Sequence, residues 1–249
     1  MAFMVKLIKY IVGLIVPIMF LSCKKEEPVT RVVEFKTTSY ATLGTYDTTG
    51  KPSYLLTRDD ISTALFGFIR ATLPDKIDLR KTNPDLLTTK AIADIAIIKP
   101  SEVFITYVSQ GGGFTNTFAF YTYPTDNPPL STADIKVITF VFPNSGAGTP
   151  LRAGDKVKIG NFDAGTSIGF VILQKGWDPI TKMVNDKAVH FCSNDILNPE
   201  VDPALKKHAV LIDYPLENKV LIGFEDLDRT DPKCDHDFND VVFYCTVKS

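Results

Sequence analysis

The sequence predicts a mostly β fold: a jelly-roll-like β-sandwich preceded by one short N-terminal helix. Two observations carry that expectation. Seventeen Phe and nine Tyr stand against four Met in 249 residues, and aromatic side chains suit the half-buried surface of a sheet. From Ile95 onward, short apolar runs alternate with clusters of Gly, Pro, Asn and Asp, the texture of many strands joined by turns.

The elements follow in chain order. Residues 1–22 open with Lys6 and Lys9, continue through an uncharged apolar run over 11–21, and end at Ser22 before Cys23. A spanning helix needs about 20 apolar residues, so this segment is expected to be a cleaved secretion signal. Residues 23–50 read as a lipid-bearing Cys23 and a polar tether, and residues 51–94 as a lead-in. In the lead-in, residues 58–71 predict a helix. Asp59 or Asp60 can cap it, Ile61, Leu65, Phe68 and Ile69 fall on one stripe, and Pro74 stops it. A weaker helical turn is expected around 86–93. Strands are expected at 103–108, then after the Gly111-Gly112-Gly113 break at 118–123, 135–142, 156–159 and 167–173. Four more follow at 189–192, 208–213, 219–224 and 241–247. Residues 95–249 thus form the sandwich domain.

Cys23 directly after a small residue resembles a lipobox, in which the thiol takes a diacylglycerol and becomes the first residue of the mature chain. This ending, with the Lys24-Lys25-Glu26-Glu27 run behind it, resembles that of Bacteroidota lipoproteins displayed on the outer membrane. The expected partners are a membrane, through the N-terminal lipid, and a surface glycan or protein ligand. Loss of residues 1–22 moves the formal charge from −2 to −4. A mildly acidic chain without a Lys/Arg cluster offers nucleic acid no electrostatic footprint.

The stretches Gly223-Phe224-Glu225-Asp226-Leu227-Asp228 and Asp235-His236-Asp237-Phe238-Asn239-Asp240 hold six carboxylates and an Asn between two apolar strands. Like charges beside a core repel one another, and burying them is costly unless a positive charge sits among them. Arg229 and Lys233 are the nearest candidates. A hard divalent cation answers the same need, because Ca²⁺ takes six to eight oxygen ligands. Asp235, Asp237 and Asn239 stand at alternate positions, which an extended backbone aims to one side. The predicted calcium ligands are therefore Glu225, Asp226, Asp235, Asp237, Asn239 and Asp240. An EF-hand is excluded, since Asp240 stands where its Gly is required and the segment leads into a strand.

Several ordered motifs accompany this signature. They are Gly111-Gly112-Gly113-Phe114-x-Asn116-x-Phe118, Gly154-Asp155-x-Val157, Gly165-Thr166-x-Ile168-Gly169-Phe170, Leu197-Asn198-Pro199 and His208 before Val210-Leu211. With them, residues 95–249 resemble domain-of-unknown-function family 4114, related to the LruC-type domains of bacterial surface proteins. The resemblance implies Glu and Asp residues of unproven role. One departure is Gln110, where members often carry an acid.

Three functional readings follow. The first is a surface-anchored binding or adhesion module stabilised by calcium. The second is a glycosidase-like hydrolase, with Glu225 and one of Asp226, Asp237 or Asp240 as an acid/base pair. No Gly-x-Ser-x-Gly elbow supports other hydrolase chemistry. The third is a zinc site from His190, Cys192, Cys234 and His236. In an oxidising compartment the alternative for those thiols is a Cys192–Cys234 disulfide, with Cys245 a buried free thiol. His208 reads as a hydrogen-bonded structural residue.

Overall fold

The computed structural model describes residues 33–88 and 93–249. The expected signal, Cys23 and the start of the tether lie outside the described residues. No helix among those described is long and apolar enough to cross a membrane.

Thirteen strands, numbered in chain order, dominate the fold: β1 (Ser39–Thr42), β2 (Ile95–Ile97), β3 (Ser101–Gln110), β4 (Thr117–Pro124), β5 (Val137–Phe142), β6 (Lys156–Phe162), β7 (Thr166–Gln174), β8 (Trp177–Asp178), β9 (Met183–Val184), β10 (Val189–Cys192), β11 (Ala209–Tyr214), β12 (Lys219–Phe224) and β13 (Val241–Lys248). The first sheet runs β1-β5-β4-β7-β10, and β2 shares the outer edge of β7 with β10. The second runs β11-β12-β13-β3-β6. Only β1 pairs in parallel, with β5; the other ladders among the described residues are antiparallel. A small β8–β9 hairpin stands apart.

The core lies between the two large sheets. Phe118, Phe170 and Phe142 of the first sheet meet Phe243 and Phe224 of the second, with Phe118 and Phe243 stacked at a centroid distance of 3.9 Å. Each outer face is covered as well. Val171, Leu173, Ala119 and Tyr121 pack under Phe35, Ile135 and Leu197. On the second sheet, Val108, Val242 and Tyr244 pack under Leu65, Ile69 and Leu73. Burial on both faces explains why the central strands read as continuous apolar runs and not as strict alternation.

Helix α1 (Thr63–Thr72) supplies that second cover, and a single further turn, α2 (Leu79–Thr82), follows it. The helix starts five residues later than residue 58, because Ser62 and not Asp59 or Asp60 is its cap: Ser62 Oγ accepts the Leu65 N–H at 3.0 Å. Asp59 is engaged elsewhere, accepting Tyr244 Oη–H at 2.9 Å and Thr106 Oγ1–H at 3.1 Å, with Lys156 against its other oxygen. The weaker turn falls at Leu79–Thr82 and Pro84–Leu87, earlier than expected; residues 89–92 lie outside the described chain.

Part of the span expected as a tether, residues 23–50, is folded. Residues 39–42 form β1, and Phe35 is buried with its ring stacked 4.5 Å from that of His190. The chain therefore joins the sandwich by Phe35.

Candidate metal centre

Residues 225–240 connect two neighbouring antiparallel strands, with Phe224 opposite Val241. β3 ends at the same edge, Gln110 facing Val241. The pairing then continues for one step beyond the strands, since Gly111 and Gly112 both donate their N–H to the Asp240 carbonyl, at 3.0 and 3.2 Å. The register of β13 on β3 slips between Val242 and Phe243, an irregularity that turns strand ends and often borders functional sites.

The acidic loop is tightly folded. His236 and Phe238 have φ of 60° and 58°, left-handed values that bulky residues rarely adopt. Phe238 is fully buried below α1, with the Arg229 guanidinium 5.2 Å above its ring. His236 accepts from Arg229 Nε at 3.2 Å. These contacts fix the two residues that flank Asp237. Asp237 lies between them, its Oδ2 accepting Lys76 N–H at 2.7 Å and its Oδ1 accepting Asn239 N–H at 3.0 Å.

Five of the six predicted ligands converge. Carboxylate oxygens of Glu225, Asp235 and Asp237 lie within 4.8 Å of one another, and so do those of Glu225, Asp226 and Asp240. Two ligands on opposite sides of one Ca²⁺ are at most about 5 Å apart, twice its 2.3–2.6 Å bond length. Asn239, the sixth, packs against Gly111, and its Nδ2 donates to the Leu73 carbonyl at 3.5 Å.

Glu225 and Asp226 are each 1% exposed and Asp237 is 2% exposed. Burial, reinforced by the charge on Asp240, holds the Glu225 and Asp226 carboxyls well above the usual carboxylate range. Burial pushes Asp237 up to about 6 and raises Asp235 too. Hydrogen bonds satisfy most of the cluster. Asn116 Nδ2 donates to Asp226 Oδ2 at 2.6 Å, and the Asp226 N–H donates to Asp240 Oδ2 at 2.8 Å. Glu225 Oε2 is the exception: it is buried and has no partner. Among the described residues no Lys or Arg forms an ion pair with these five carboxylates. Arg229 is itself buried, but it spends its Nη1 on the carbonyls of Ala204 and Lys207, at 3.2 and 3.0 Å. The donor set is all oxygen, negative and preformed, which fits a hard divalent cation.

Residues that sequence reasoning did not assign also build the site. Asn116 and Gln174 reach across from the first sheet, Gln174 Nε2 donating to the Asp226 carbonyl at 2.6 Å. Asn116 stands in the glycine-turn motif, whereas Gln174 carried no signal in the sequence. Behind Glu225, His208 is wholly buried and hydrogen-bonded. Its Nδ1 lies 2.9 Å from the Glu225 carbonyl and its Nε2 2.7 Å from Glu200 Oε1.

The expected Cys192–Cys234 disulfide does not form, for Cys192, Cys234 and Cys245 are all free and buried. Cys192 belongs to the cluster on the outer face of the first sheet. Cys234 sits in the acidic loop with its Sγ 3.2 Å from His236 Nδ1. Nor do the zinc ligands assemble: His190 bonds Tyr40 and Ala188, far along the chain from His236. Among the described residues, the converging groups of three potential ligands are carboxylates alone. Trp177 is buried against Tyr46 and presents no ligand face.

Residues 162–248 match the family model described as Domain of unknown function (DUF4114). The match runs from the end of β6 through β13; the glycine turn and β3 to β5 lie before the matched residues. Comparison with curated proteins and with solved structures finds no match.

Proposed function

We propose that this protein is a surface-anchored lipoprotein whose β-sandwich serves as a binding or adhesion module and is stabilised by calcium at the acidic end of its second sheet. The observation that carries the metal reading is Glu225. Its Oε2 is buried without a partner among four other carboxylates, an arrangement that costs free energy unless a cation completes it. Lipidation at Cys23 would hold the module at the outer membrane, leaving a glycan or a protein at the cell surface as its ligand.

The hydrolase reading is weaker. Its acid/base pair would have to face a cleft, yet the groove of about 390 Å³ beside Gly111 and Asn239 is lined by none of Glu225, Asp226, Asp237 and Asp240.

Thermal unfolding of the purified protein tests the proposal. Millimolar Ca²⁺ should raise the Tm by several degrees over that in EGTA, because a ligand of the native state alone stabilises it. Asp237→Ala should reduce the rise. An identical Tm with and without calcium would sink the metal reading and make glycan hydrolysis the next assay.

A further inference from the structure

We infer that the acidic cluster is a two-ion centre in which the Glu225 carboxylate bridges a pair of divalent cations; this rests on the cation reading above. The two converging groups share Glu225 and no other residue. They are also supported from different sides. Asp226 is held by Asn116 and Gln174 from the first sheet. Asp237 is held by the Lys76 N–H, from the turn after α1. Charge gives the same answer. The five carboxylates carry −5 when ionised; one divalent ion leaves −3 around the buried Glu225, Asp226 and Asp237, whereas two leave −1.

Glu225 supplies the second, independent observation. It is 1% exposed, and its Oε2 has no hydrogen-bond partner. A carboxylate whose two oxygens each meet an ion leaves neither oxygen orphaned. One half-site would then be Asp235 and Asp237 with one Glu225 oxygen, the other Asp226 and Asp240 with the second oxygen. Backbone carbonyls and water would fill the remaining positions that calcium takes.

Calcium titration of the metal-free protein by calorimetry, with bound calcium counted by elemental analysis after gel filtration, decides the matter. Two ions per chain are expected. Asp226→Asn and Asp237→Asn should each retain one, and Glu225→Gln should weaken both steps by tenfold or more. Circular dichroism in EGTA checks that each variant is folded. Manganese loading of the unmutated protein gives an answer that needs no variant. Two Mn²⁺ bridged at about 4 Å produce a coupled spin-pair spectrum, and a lone ion gives the six-line signal. One ion per chain with an uncoupled spectrum overturns the bridge while leaving the single-ion reading intact. No bound ion overturns both.

Discussion

Gly112 lies where a side chain has no room. A Cβ there would stand 2.6 Å from Asp226 Oδ2 and 2.8 Å from Asp240 Oδ1, whereas one on the neighbouring Gly113 would meet nothing within 4 Å. Gly112→Ala should therefore cost about 1–3 kcal/mol, the usual range for forced overpacking, and weaken calcium binding. Gly113→Ala should change neither, and urea denaturation of the pair makes the comparison. The acids were legible in the sequence because their density between two apolar strands is itself anomalous. What Gly112 does was not, since it touches Asp226 across more than a hundred residues. The cysteines show the same limit. Their number and the expected oxidising compartment suggested a bond, but Cys192 packs on the outer face of the first sheet and Cys234 sits beside His236 in the acidic loop. Burial also raises the thiols of Cys192 and Cys245, so a thiol reagent should label Cys192, Cys234 and Cys245 only after unfolding, which peptide mapping will show.

At the scale of elements, most strands were legible because β-branched and aromatic runs end at Gly, Pro and Asn. β1 was not. Ser39-Tyr40-Ala41-Thr42 is short, largely exposed and without a β-branched run, and its place is set by β5, nearly a hundred residues away. The start of α1 was misplaced because Asp59 and Asp60 look like caps in isolation. Tertiary contacts to Tyr244, Thr106 and Lys156 take Asp59 out of that role, and Ser62 fills it. Ser62→Ala should cost about 0.5–2 kcal/mol in equilibrium unfolding, the range for a lost N-cap. Asp60→Ala, at an exposed position outside the helix, should cost far less.

For the whole molecule, the buried carboxylates tie stability to pH. Asp237, Glu225 and Asp226 all have folded-state pKa values above their ordinary ones. Without metal, the native state therefore keeps protons that the unfolded chain has released above about pH 4. The stability they contribute is full below that pH. It is lost as pH rises through about 6, the value for Asp237, and further as Glu225 and Asp226 ionise. Bound cations replace those protons, so the loss should vanish in millimolar Ca²⁺. Melting curves from about pH 4.5 to about pH 7.5 should fall with pH in EGTA and stay level or rise with calcium. A level profile in EGTA would mean that the cluster is neutralised by other means.

The position of β13 has a consequence for how the chain acquires its shape. The last strand in sequence is the middle strand of the second sheet, flanked by β12 and by β3, and it contributes Val241, Phe243 and Cys245 to the interior. β3 emerges from the ribosome some 130 residues before the partner that covers its edge. Pairings so distant in sequence are slow to form, and here they cannot begin until residues 241–248 have been made. Until then the second sheet is unfinished, with the facing edges of β12 and β3 both uncovered. Closure of the sandwich and creation of the acidic centre become a single late event, because both wait for the same segment.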